Sequence, residues 1–396
     1  MFGANWLAYV RRMTVAKPKI ALVVSTALQV QFFLKPHLRA LADRYDVTLF
    51  LPNDRPDLLA AFDMPVCYEI IPIVRPISPI SDLRALLTLW SKLRKGRFAS
   101  VHTVTPKAGL LGTLAGWAAR IPVRVHTFQG EVWANSRGLK RAIFKALDRL
   151  VVLLTTHVMV VSHSELAYLR DERVLGPEQG EVLGQGSIGG VDLARFAADP
   201  TRRVTERAKY GLGDENVVAL FLGRLNPDKG VTDLVAAFRM MQGDHPNARL
   251  LLVGPDEGAA PDATDGIIRA PFTAQPEMAV AAADYLVLPS HREGFGVVII
   301  EAAAMGLPAI GCDIYGLKDA VVDGETGLLV PVPDPKALSD AMGRMTADSE
   351  LRARLGAAAL RRAKQEFSVA TVVGAFIDYY ARLPALTPCG SDRKDT

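Results

Sequence analysis

Two glutamates, Glu293 and Glu301, flank a glycine-rich turn, and their type and spacing suit a ligand that combines negative charge with hydroxyl groups. The segment reads SHREGFGVVIIE over residues 290–301. Glycines let backbone amides approach a ligand closely, and the first amides of a helix that begins near Phe295 would point at an anion. Carboxylates accept hydrogen bonds from hydroxyls. The pattern predicts a site for phosphate with polyols on both sides, which is the layout of a nucleotide sugar.

A second group with suitable chemistry lies upstream, in VVALFLGRLNPDKGVTDLVAAFRMM. An apolar strand over 217–222 leads through a turn into an amphipathic helix. Arg224 and Lys229 are five residues apart across that turn. Both cations could converge on a diphosphate, the arginine through its planar fork and the lysine as a point charge.

Taken together, these segments resemble a known family. The spacing E-x7-E, with GFG inside it and AAAMGLPAI after it, resembles the donor-site signature of glycosyltransferase family 4, the retaining enzymes of GT-B architecture. The resemblance continues to about residue 335, and GR-x4-KG resembles the family's upstream diphosphate motif. The resemblance implies donor contacts at Gly223, Arg224, Lys229, Gly254, Glu293, Gly294, Phe295, Gly296, Val297, Val298 and Glu301.

The family resemblance also implies a role for each part of this set. Glu293 would orient the donor hexose, and Glu301 would hold the ribose hydroxyls. Arg224, Lys229 and the amides of Phe295 to Val298 would stabilise the departing diphosphate, so Glu293, Arg224 and Lys229 are the catalytic candidates. We expect no metal and no cofactor beyond the nucleotide-sugar co-substrate, because protein cations can neutralise the diphosphate and no strong Asp-x-Asp motif is present.

Candidate acceptor residues lie in the N-terminal half, where ligands of open α/β sheets bind at the carboxyl edge. Ser25 and Thr26 occupy a loop in which many family members carry paired glycines, and Lys107 opens a small-residue helix where it could meet a lipid diphosphate. In VRVHTFQGEVWANSRG, Gln129 stands where the family often has histidine, and His126 lies three residues earlier. Gln129 can bond a sugar hydroxyl but cannot act as a base. HTFQGEVWANSRG and HTVTPKAGLLG resemble a subgroup that builds bacterial surface polysaccharide or lipid-linked oligosaccharide.

The elements that must position these residues follow an alternating pattern. Apolar runs, most of them followed by helical patterns, are predicted at 19–24, 46–51, 99–102, 122–127, 157–161, 217–222, 248–254, 284–289 and 307–311. This predicts two doubly wound Rossmann-like domains facing a cleft that closes on the substrates. We expect an acceptor domain over 17–192, a donor domain over 193–367, a helix over 368–383 that returns to the first domain, and flexible tails at 1–16 and 384–396.

Charge is distributed unevenly along the 396 residues. Residues 1–150 carry 22 Lys and Arg against 9 Asp and Glu, a balance of +13, so the net charge of +4 leaves −9 for the remainder. The basic half predicts an anionic surface as partner, and no nucleic-acid module is recognisable. Segment 138–154 places an apolar stripe beside Lys140, Arg141 and Lys145, which is typical either of a membrane-interfacial helix or of an ordinary packed helix with a basic face.

Several further features suggest where the protein works. No apolar run is long enough to span a bilayer, and residues 1–16 lack the order of a signal peptide. Cys67, Cys312 and Cys389 are too scattered for a disulfide framework or zinc site. We therefore expect a cytoplasmic enzyme, peripheral on the inner face of the membrane.

Two other functional classes remain open. A nucleotide-sugar epimerase of GT-B-like fold would turn over the sugar without an acceptor, and a non-catalytic membrane-surface scaffold would not need the carboxylates. A dinucleotide dehydrogenase is disfavoured, because the turn STALQVQ after the first strand has no glycine.

Overall fold

The computed structural model describes residues 17–386 except positions 61, 75, 263 and 265. The predicted tail at 1–16 and most of the one at 384–396 lie outside the described residues. Within the described part the chain divides into two compact units. The first unit comprises residues 17–127, 146–159 and 374–386, and the second comprises residues 128–145 and 160–373.

The strands form two sheets. The first has seven strands in the order β3-β2-β1-β4-β5-β6-β7, and the second has six in the order β10-β9-β8-β11-β12-β13. The strand bounds are β1 Lys19–Val23, β2 Asp46–Leu51, β3 Cys67–Ile70, β4 Ser100–Val104, β5 Val123–Phe128, β6 His157–Val160, β7 Glu181–Val182, β8 Val217–Leu222, β9 Ala248–Val253, β10 Ile267–Ala270, β11 Tyr285–Leu288, β12 Ala309–Cys312 and β13 Gly327–Val330.

Every strand pair with a defined register is parallel, as in β1 with β2 and β8 with β9. In each sheet the order changes direction beside the first strand of the set, next to β1 and next to β8. Because connections between parallel strands must cross a face of the sheet, helices cover both faces. The predicted pair of doubly wound Rossmann-like folds is confirmed.

Helices alternate with the strands. Their bounds are α1 Ala27–Gln29, continued by a π-helical turn Val30–Leu34, α2 Lys35–Arg44, α3 Pro56–Ala60, α4 Pro79–Gly96, α5 Pro106–Ala118, α6 Gly138–Leu154, α7 His163–Asp171, α8 Pro200–Lys209, a 3-10 turn Pro227–Lys229, α9 Val231–Gln242, α10 Pro276–Ala282, α11 Val297–Ala304, α12 Leu317–Ala320, α13 Pro335–Ala347, α14 Ser349–Glu366 and α15 Val369–Ala381.

Each unit has a core of its own. In the first, β1, β4 and α5 pack around Val23, Val101 and Ala115, all fully buried. In the second, the core strands β8, β9 and β11 bury Leu220, Leu251 and Leu286 completely. Burial of such aliphatic side chains stabilises each unit by about 1.5–3 kcal/mol per side chain.

Helix α15 begins in the second unit, but its residues from Gly374 onward belong to the first. Tyr380 is fully buried there, and its hydroxyl lies 2.6 Å from His102 Nδ1. His102 Nε2 lies 2.7 Å from Thr127 Oγ1, and Phe376 stacks on the imidazole ring. A C-terminal segment therefore completes the core of the N-terminal unit.

Helix α6 has the bounds that the sequence predicted for 138–154, but its basic flank is partly used within the protein. Arg141 and Lys145 both form ion pairs with Glu172, and both lie over the ring of Trp133. Of its apolar stripe, Leu139 and Ile143 are exposed, whereas Val151 is buried. The helix thus combines features of both alternatives that its sequence left open, a packed helix and a partly exposed apolar stripe.

Candidate functional site

The two motifs identified in the sequence follow neighbouring strands of the second sheet. The arginine-lysine turn comes after β8, the glutamate-glycine turn comes after β11, and these strands pair directly. Because the strands are parallel, their carboxyl ends meet at one edge of the sheet, which is where open α/β sheets bind ligands. The loop after β9, which carries Gly254, reaches the same edge.

Glu293 lies at the centre of this edge. Its Oε1 accepts a hydrogen bond from Ser290 Oγ at 3.0 Å and forms a short ion pair with Lys229 Nζ. The Lys229 and Glu293 side chains are 19 % and 15 % exposed, so this pair is only partly screened by solvent. The two sequence motifs therefore contact each other through the side chains of Lys229 and Glu293.

Arg224 faces the loop after β9. Its guanidinium lies 2.7 Å from Glu257 Oε2, which also accepts a hydrogen bond from Asn226 Nδ2 at 2.9 Å. The backbone supports this pairing, because a Cβ on Gly254 would lie 1.8 Å from the Gly223 carbonyl oxygen. Only glycine allows this approach, and Gly254 also has a φ of +148°.

Further contacts fasten the two turns together. His291 Nε2 lies 2.6 Å from Asp233 Oδ2, and the His291 amide donates to the Asp228 carbonyl at 2.9 Å. The Arg292 guanidinium lies 3.4 Å from Asp228 Oδ2. Lys229 and Glu293 are thus held on a braced frame, which lowers the conformational entropy that ligand binding must remove.

Helix α11 begins at Val297, two residues later than expected, with Gly296 as its N-cap at a φ of +84°. Phe295 is buried and packs against Phe367 with ring centroids 5.2 Å apart. This packing fixes the turn whose following amides, at Val297 and Val298, have no acceptor one helical turn earlier. The amide end of α11 therefore opens at the same sheet edge as Lys229 and Arg224.

Glu301 lies on the second turn of α11 and is partly exposed. Loss of hydration raises the pKa of its carboxyl to about 7; Arg195 opposes this rise and Glu277 adds to it. Arg195 itself pairs with Glu277 at 2.6 Å. The carboxyl forms no ion pair or hydrogen bond with the residues that the structure describes.

Three glycine-containing loops approach backbone to backbone around Glu293. A Cβ on Gly294 would lie 2.6 Å from the carbonyl carbon of Gln129, and one on Gly316 would lie 2.5 Å from the Glu293 carbonyl oxygen. A Cβ on Gly130 would lie 3.0 Å from the Gly294 amide nitrogen. The predicted acceptor residue Gln129 therefore stands against the predicted donor turn.

Two buried acids near this contact were not recognised in the sequence. Glu131 and Glu165 are 1 % and 0 % exposed. Glu165 Oε1 accepts a short hydrogen bond from the Gly130 amide, and its Oε2 accepts one from the Val161 amide at 3.3 Å. The two acids are 34 residues apart and each resembles a surface charge in sequence, so no local pattern could reveal the pair.

An aromatic stack supports the same loop. Trp133 stacks on Tyr168, and Tyr168 stacks on Tyr315, with centroid distances of 5.5 Å and 4.4 Å. Arg141 lies over the outer face of Trp133 at 5.1 Å. The signal available in sequence was only the isolated Trp in EVWANSRG.

The remaining acceptor candidates lie in the first unit. Ser25 Oγ lies 2.8 Å from Thr105 Oγ1, and Thr26 Oγ1 donates to Asp54 Oδ2 at 2.6 Å while capping α1. Lys107 pairs with Asp82 at 2.7 Å and donates to the carbonyls of Val74 and Pro76. Lys107 therefore fastens the loop before α4, and a ligand would have to displace these partners.

His126 does not face solvent. Its ring is 2 % exposed, its Nδ1 lies 2.9 Å from Thr103 Oγ1, and a Cβ on Gly109 would lie 2.4 Å from the ring. Burial lowers its pKa to about 3, so the imidazole is neutral. This enclosure argues against the direct acceptor contact predicted for His126 and makes it a packing residue.

No group of three or more His, Cys, Asp or Glu side chains in the described ranges is arranged to hold a metal ion. Over the same residues, no helix has the length and apolar character needed to cross a bilayer.

Comparisons with known proteins match both halves of the chain. Residues 203–362 match the model of glycosyl transferases group 1, and residues 37–186 match the glycosyl transferase 4-like domain. A capsular polysaccharide biosynthesis glycosyltransferase, CapM of Staphylococcus aureus, is 29 % identical over 76 % of this chain and 81 % of its own.

Two further similarities extend over most of the chain. An Escherichia coli UDP-Gal:alpha-D-GlcNAc-diphosphoundecaprenol alpha-1,3-galactosyltransferase is 26 % identical over 84 % of this chain and 87 % of its own. The crystal structure of Anabaena HepE in complex with UDP and glucose superposes with a TM-score of 0.77 at 19 % identity, covering 92 % of this chain and all of that one. At that identity, the superposition establishes the fold alone.

Proposed function

Because the chain belongs to the family 4 glycosyltransferases of GT-B architecture, we propose that it transfers a hexose or N-acetylhexosamine from a nucleoside diphosphate sugar. The acceptor is a hydroxyl of a lipid-linked or cell-surface glycan precursor, and the anomeric configuration is retained. The observation that carries this proposal is the direct contact of Lys229 with Glu293 beside the start of α11. Through this contact, a cation, a carboxylate and the first amides of a helix lie together at one edge of the sheet.

The reaction breaks the bond between the anomeric carbon and the diphosphate oxygen, and its electron pair stays with the diphosphate. The acceptor oxygen forms the new bond, and its proton passes to an oxygen of the departing diphosphate. Negative charge therefore grows on the diphosphate, where Lys229, Arg224 and the first amides of α11 stabilise it. We propose that these groups act without a metal ion or other cofactor.

The two carboxylates, Glu293 and Glu301, bind different hydroxyl groups of the donor. Glu293 accepts hydrogen bonds from hexose hydroxyls, for which its second oxygen, Oε2, remains available beside the Lys229 contact. Glu301 accepts hydrogen bonds from the ribose hydroxyls one to two turns along α11, and such bonds would replace the hydration that its carboxyl lacks.

The acceptor class is supported by the relatives. The Escherichia coli relative acts on a sugar linked to diphosphoundecaprenol, and CapM serves capsular polysaccharide biosynthesis. The first name describes a lipid carrier, and the second describes a capsular glycan. An enzyme for such an acceptor works at a bilayer surface, and we place this protein on the cytoplasmic face.

Helix α4 in the first unit offers a surface for that contact. Its core side carries Ala85, Leu89 and Leu93, all buried. The opposite side carries Ile80, Leu83 and Leu87, which are 72 %, 56 % and 54 % exposed, and it ends in the exposed cations Arg94 and Lys95. A monomeric protein rarely exposes such a row, and apolar residues followed by cations suit an anionic lipid surface.

The donor is tested by calorimetric titration with UDP-, GDP- and ADP-sugars in the absence of added metal. We expect one nucleotide to bind selectively and Glu301→Ala to weaken it by about tenfold or more, as expected for losing bonds to two hydroxyls. Glu350→Ala, which removes an exposed acid elsewhere on the second unit, is the matched control.

The transfer step is then followed with the selected donor and lipid-linked acceptors. Transfer to an acceptor supports the proposal. Isomerisation of the donor sugar without an acceptor would identify an epimerase instead, and full function of a Glu293→Ala variant would contradict the assigned site.

A further inference from the structure

The buried acids Glu131 and Glu165 lie outside the motifs that bind the donor, yet they face the same loops. Glu165 comes from α7, and Glu131 follows Gly130 in the loop after β5. Both oxygens of Glu131 are enclosed, and among the described residues only the Glu165 carboxyl and the Tyr315 hydroxyl face them as possible hydrogen-bond partners. An ionised carboxylate left this way would cost several kcal/mol.

A proton held between the two acids removes the cost of burying this carboxylate. The groups that face Glu131 are the Glu165 carboxyl, the Tyr315 hydroxyl, the Tyr168 hydroxyl and, more distantly, the Arg292 guanidinium. Burial raises the pKa of both acids. Glu131 raises the pKa of Glu165 further through its negative charge and through the hydrogen bond between the two carboxyls. Two carboxyls that face each other in a dry site hold one proton between them, and the protonated one donates to the other.

The pair also holds a backbone. Glu165 accepts from the Gly130 amide, while the Gly130 carbonyl accepts from the Arg292 guanidinium at 3.3 Å. Gly130 is therefore fixed from both sides, at the point where its loop touches Gly294. Tyr315, whose hydroxyl faces the acids, belongs to the loop whose Gly316 touches the Glu293 carbonyl.

We propose that Glu131, Glu165 and Tyr315 form a positioning cluster that holds the Gln129–Gly130 loop against the donor turn. The proposal rests on the assigned glycosyltransferase function, since the turn it braces carries Glu293. None of the three residues contacts the sugar in this scheme. They fix the distance between Gln129 and Glu293, so that the bound hexose meets both at once.

The cluster works only while it holds its shared proton. Loss of that proton leaves two negative charges facing each other in a dry site, and the repulsion separates α7 from the Gly130 loop. The turnover number should therefore fall at alkaline pH, while nucleotide affinity, which depends on the other side of the turn, changes little.

Hydrogen exchange tests the bracing independently of catalysis. We compare wild type, Glu165→Gln, Glu165→Ala and the exposed-acid control Glu178→Gln, following peptides that span 128–132 and 292–296. Glu165→Ala should raise exchange at least tenfold in both peptides, whereas Glu165→Gln, which keeps an acceptor for the Gly130 amide, should remain near wild type. Faster exchange confined to 160–166 would overturn the proposal.

Kinetics of the same proteins provide the second readout. Glu165→Ala should lower kcat about tenfold or more while changing the donor KM less than threefold. Glu165→Gln should keep kcat at neutral pH and lose the alkaline fall, because its amide donates to Glu131 at every pH. An unchanged alkaline fall in Glu165→Gln would overturn the shared proton. Absence of any sugar transfer by wild type would instead count against the proposed function, and the exchange result would still decide the bracing.

Discussion

Glu293 already holds a partner before any ligand arrives, because its Oε1 contacts both Lys229 and Ser290. This contact fixes the carboxylate and the ammonium relative to each other. In the proposed site, a donor with its diphosphate beside Lys229 would have its sugar beside Glu293. At the scale of single residues, the ion pair would then set the distance between the two ends of the donor.

Removing Lys229 should therefore affect turnover more than folding. We expect Lys229→Ala to lower kcat/KM by about 10²–10³, the usual effect of losing a group that stabilises charge in the transition state. Steady-state transfer assays with the preferred nucleotide sugar provide the measurement. Lys336→Ala, which changes an exposed lysine on α13, should behave as wild type, and an equal loss in both variants would refute the assignment.

In the proposed site, Glu301 would couple donor binding to pH. Its pKa is raised from 4.5 to about 7, so the folded protein holds the proton more tightly than the unfolded chain. The resulting stabilisation is complete below pH 4.5 and is lost as the pH rises through 7. Glu301→Gln should thus raise the free energy of unfolding at pH 8 by about 1–2 kcal/mol, discounted for partial exposure, and leave it unchanged at pH 4.5.

Thermal unfolding of both proteins at the two pH values measures this effect. The same variant should bind the donor more weakly at pH 8, because the amide offers only one acceptor oxygen to the ribose. Equal stability of variant and wild type at pH 8 would mean that the Glu301 carboxyl is normally hydrated.

At the scale of elements, the site depends on three loops whose backbones touch. Gly130, Gly294 and Gly316 allow the loops after β5, β11 and β12 to approach more closely than any side chain would permit. Carboxylates and cations on these loops are then held by the sheet edge rather than by their own flexible chains.

A single methyl group at Gly294 should separate these loops. The Cβ of Gly294→Ala would lie 2.6 Å from the Gln129 carbonyl carbon, so the loop after β5 must move away. We expect a loss of about 1–3 kcal/mol in stability and a loss of most of the turnover. Denaturant unfolding and transfer assays measure both, and Gly243→Ala, where a Cβ meets open space, is the control. A fully active Gly294→Ala would show that the approach is dispensable.

Much of the strand arrangement could be predicted from the sequence, and most of the strands that were missed differ from the others in length or exposure. The buried strands of both sheet centres read as apolar runs, as in VVALFL of β8. Strand β3 was missed because its CYEI is mostly exposed, and β10 because IIRA is short and half exposed. Strand β7 has only two residues, and β13 was missed although its GLLV is mostly buried. Exposed strands such as β3 bury one face or less and so leave no apolar run.

The residues of the site also fall into two groups, those that a sequence motif reveals and those that only the fold brings together. Glu293, Glu301, Arg224 and Lys229 stand in contiguous motifs, which a sequence reveals. The Glu131–Glu165 pair is created by tertiary contact between a loop and a helix. His126 shows the converse, since its position in a polar-looking loop end suggested a ligand contact, whereas the strand carries its ring into the core.

At the scale of the whole molecule, charge and exposed apolar surface coincide in the first unit. Residues 1–150 carry the positive balance, and α4 presents its second apolar face from the same part of the chain. The sequence allowed α6 to be either a membrane-interfacial helix or an ordinary packed helix, and Arg141 and Lys145 of that helix are paired with Glu172. We therefore expect α4 to contribute more to membrane attachment.

Vesicle flotation distinguishes these surfaces. The double change Leu83→Ser and Leu87→Ser should lower binding to vesicles containing phosphatidylglycerol by about tenfold, since each leucine contributes roughly 1 kcal/mol or more when buried in lipid. Val204→Ser, at a residue 69 % exposed on the second unit, is the control. Loss of binding on neutralising Lys140, Arg141 and Lys145, with none from the leucine changes, would return the contact to α6.

The position of Tyr380 beside His102 has a consequence for synthesis. Ribosomes release a chain in order, so a nascent protein exposes residues 17–127 long before residues 374–386 emerge. The second unit can finish its sheet first, whereas the first unit waits with an open pocket around His102. Premature termination between residues 367 and 380 would therefore yield a protein whose late-made half is folded and whose early-made half is the target of chaperones and proteases.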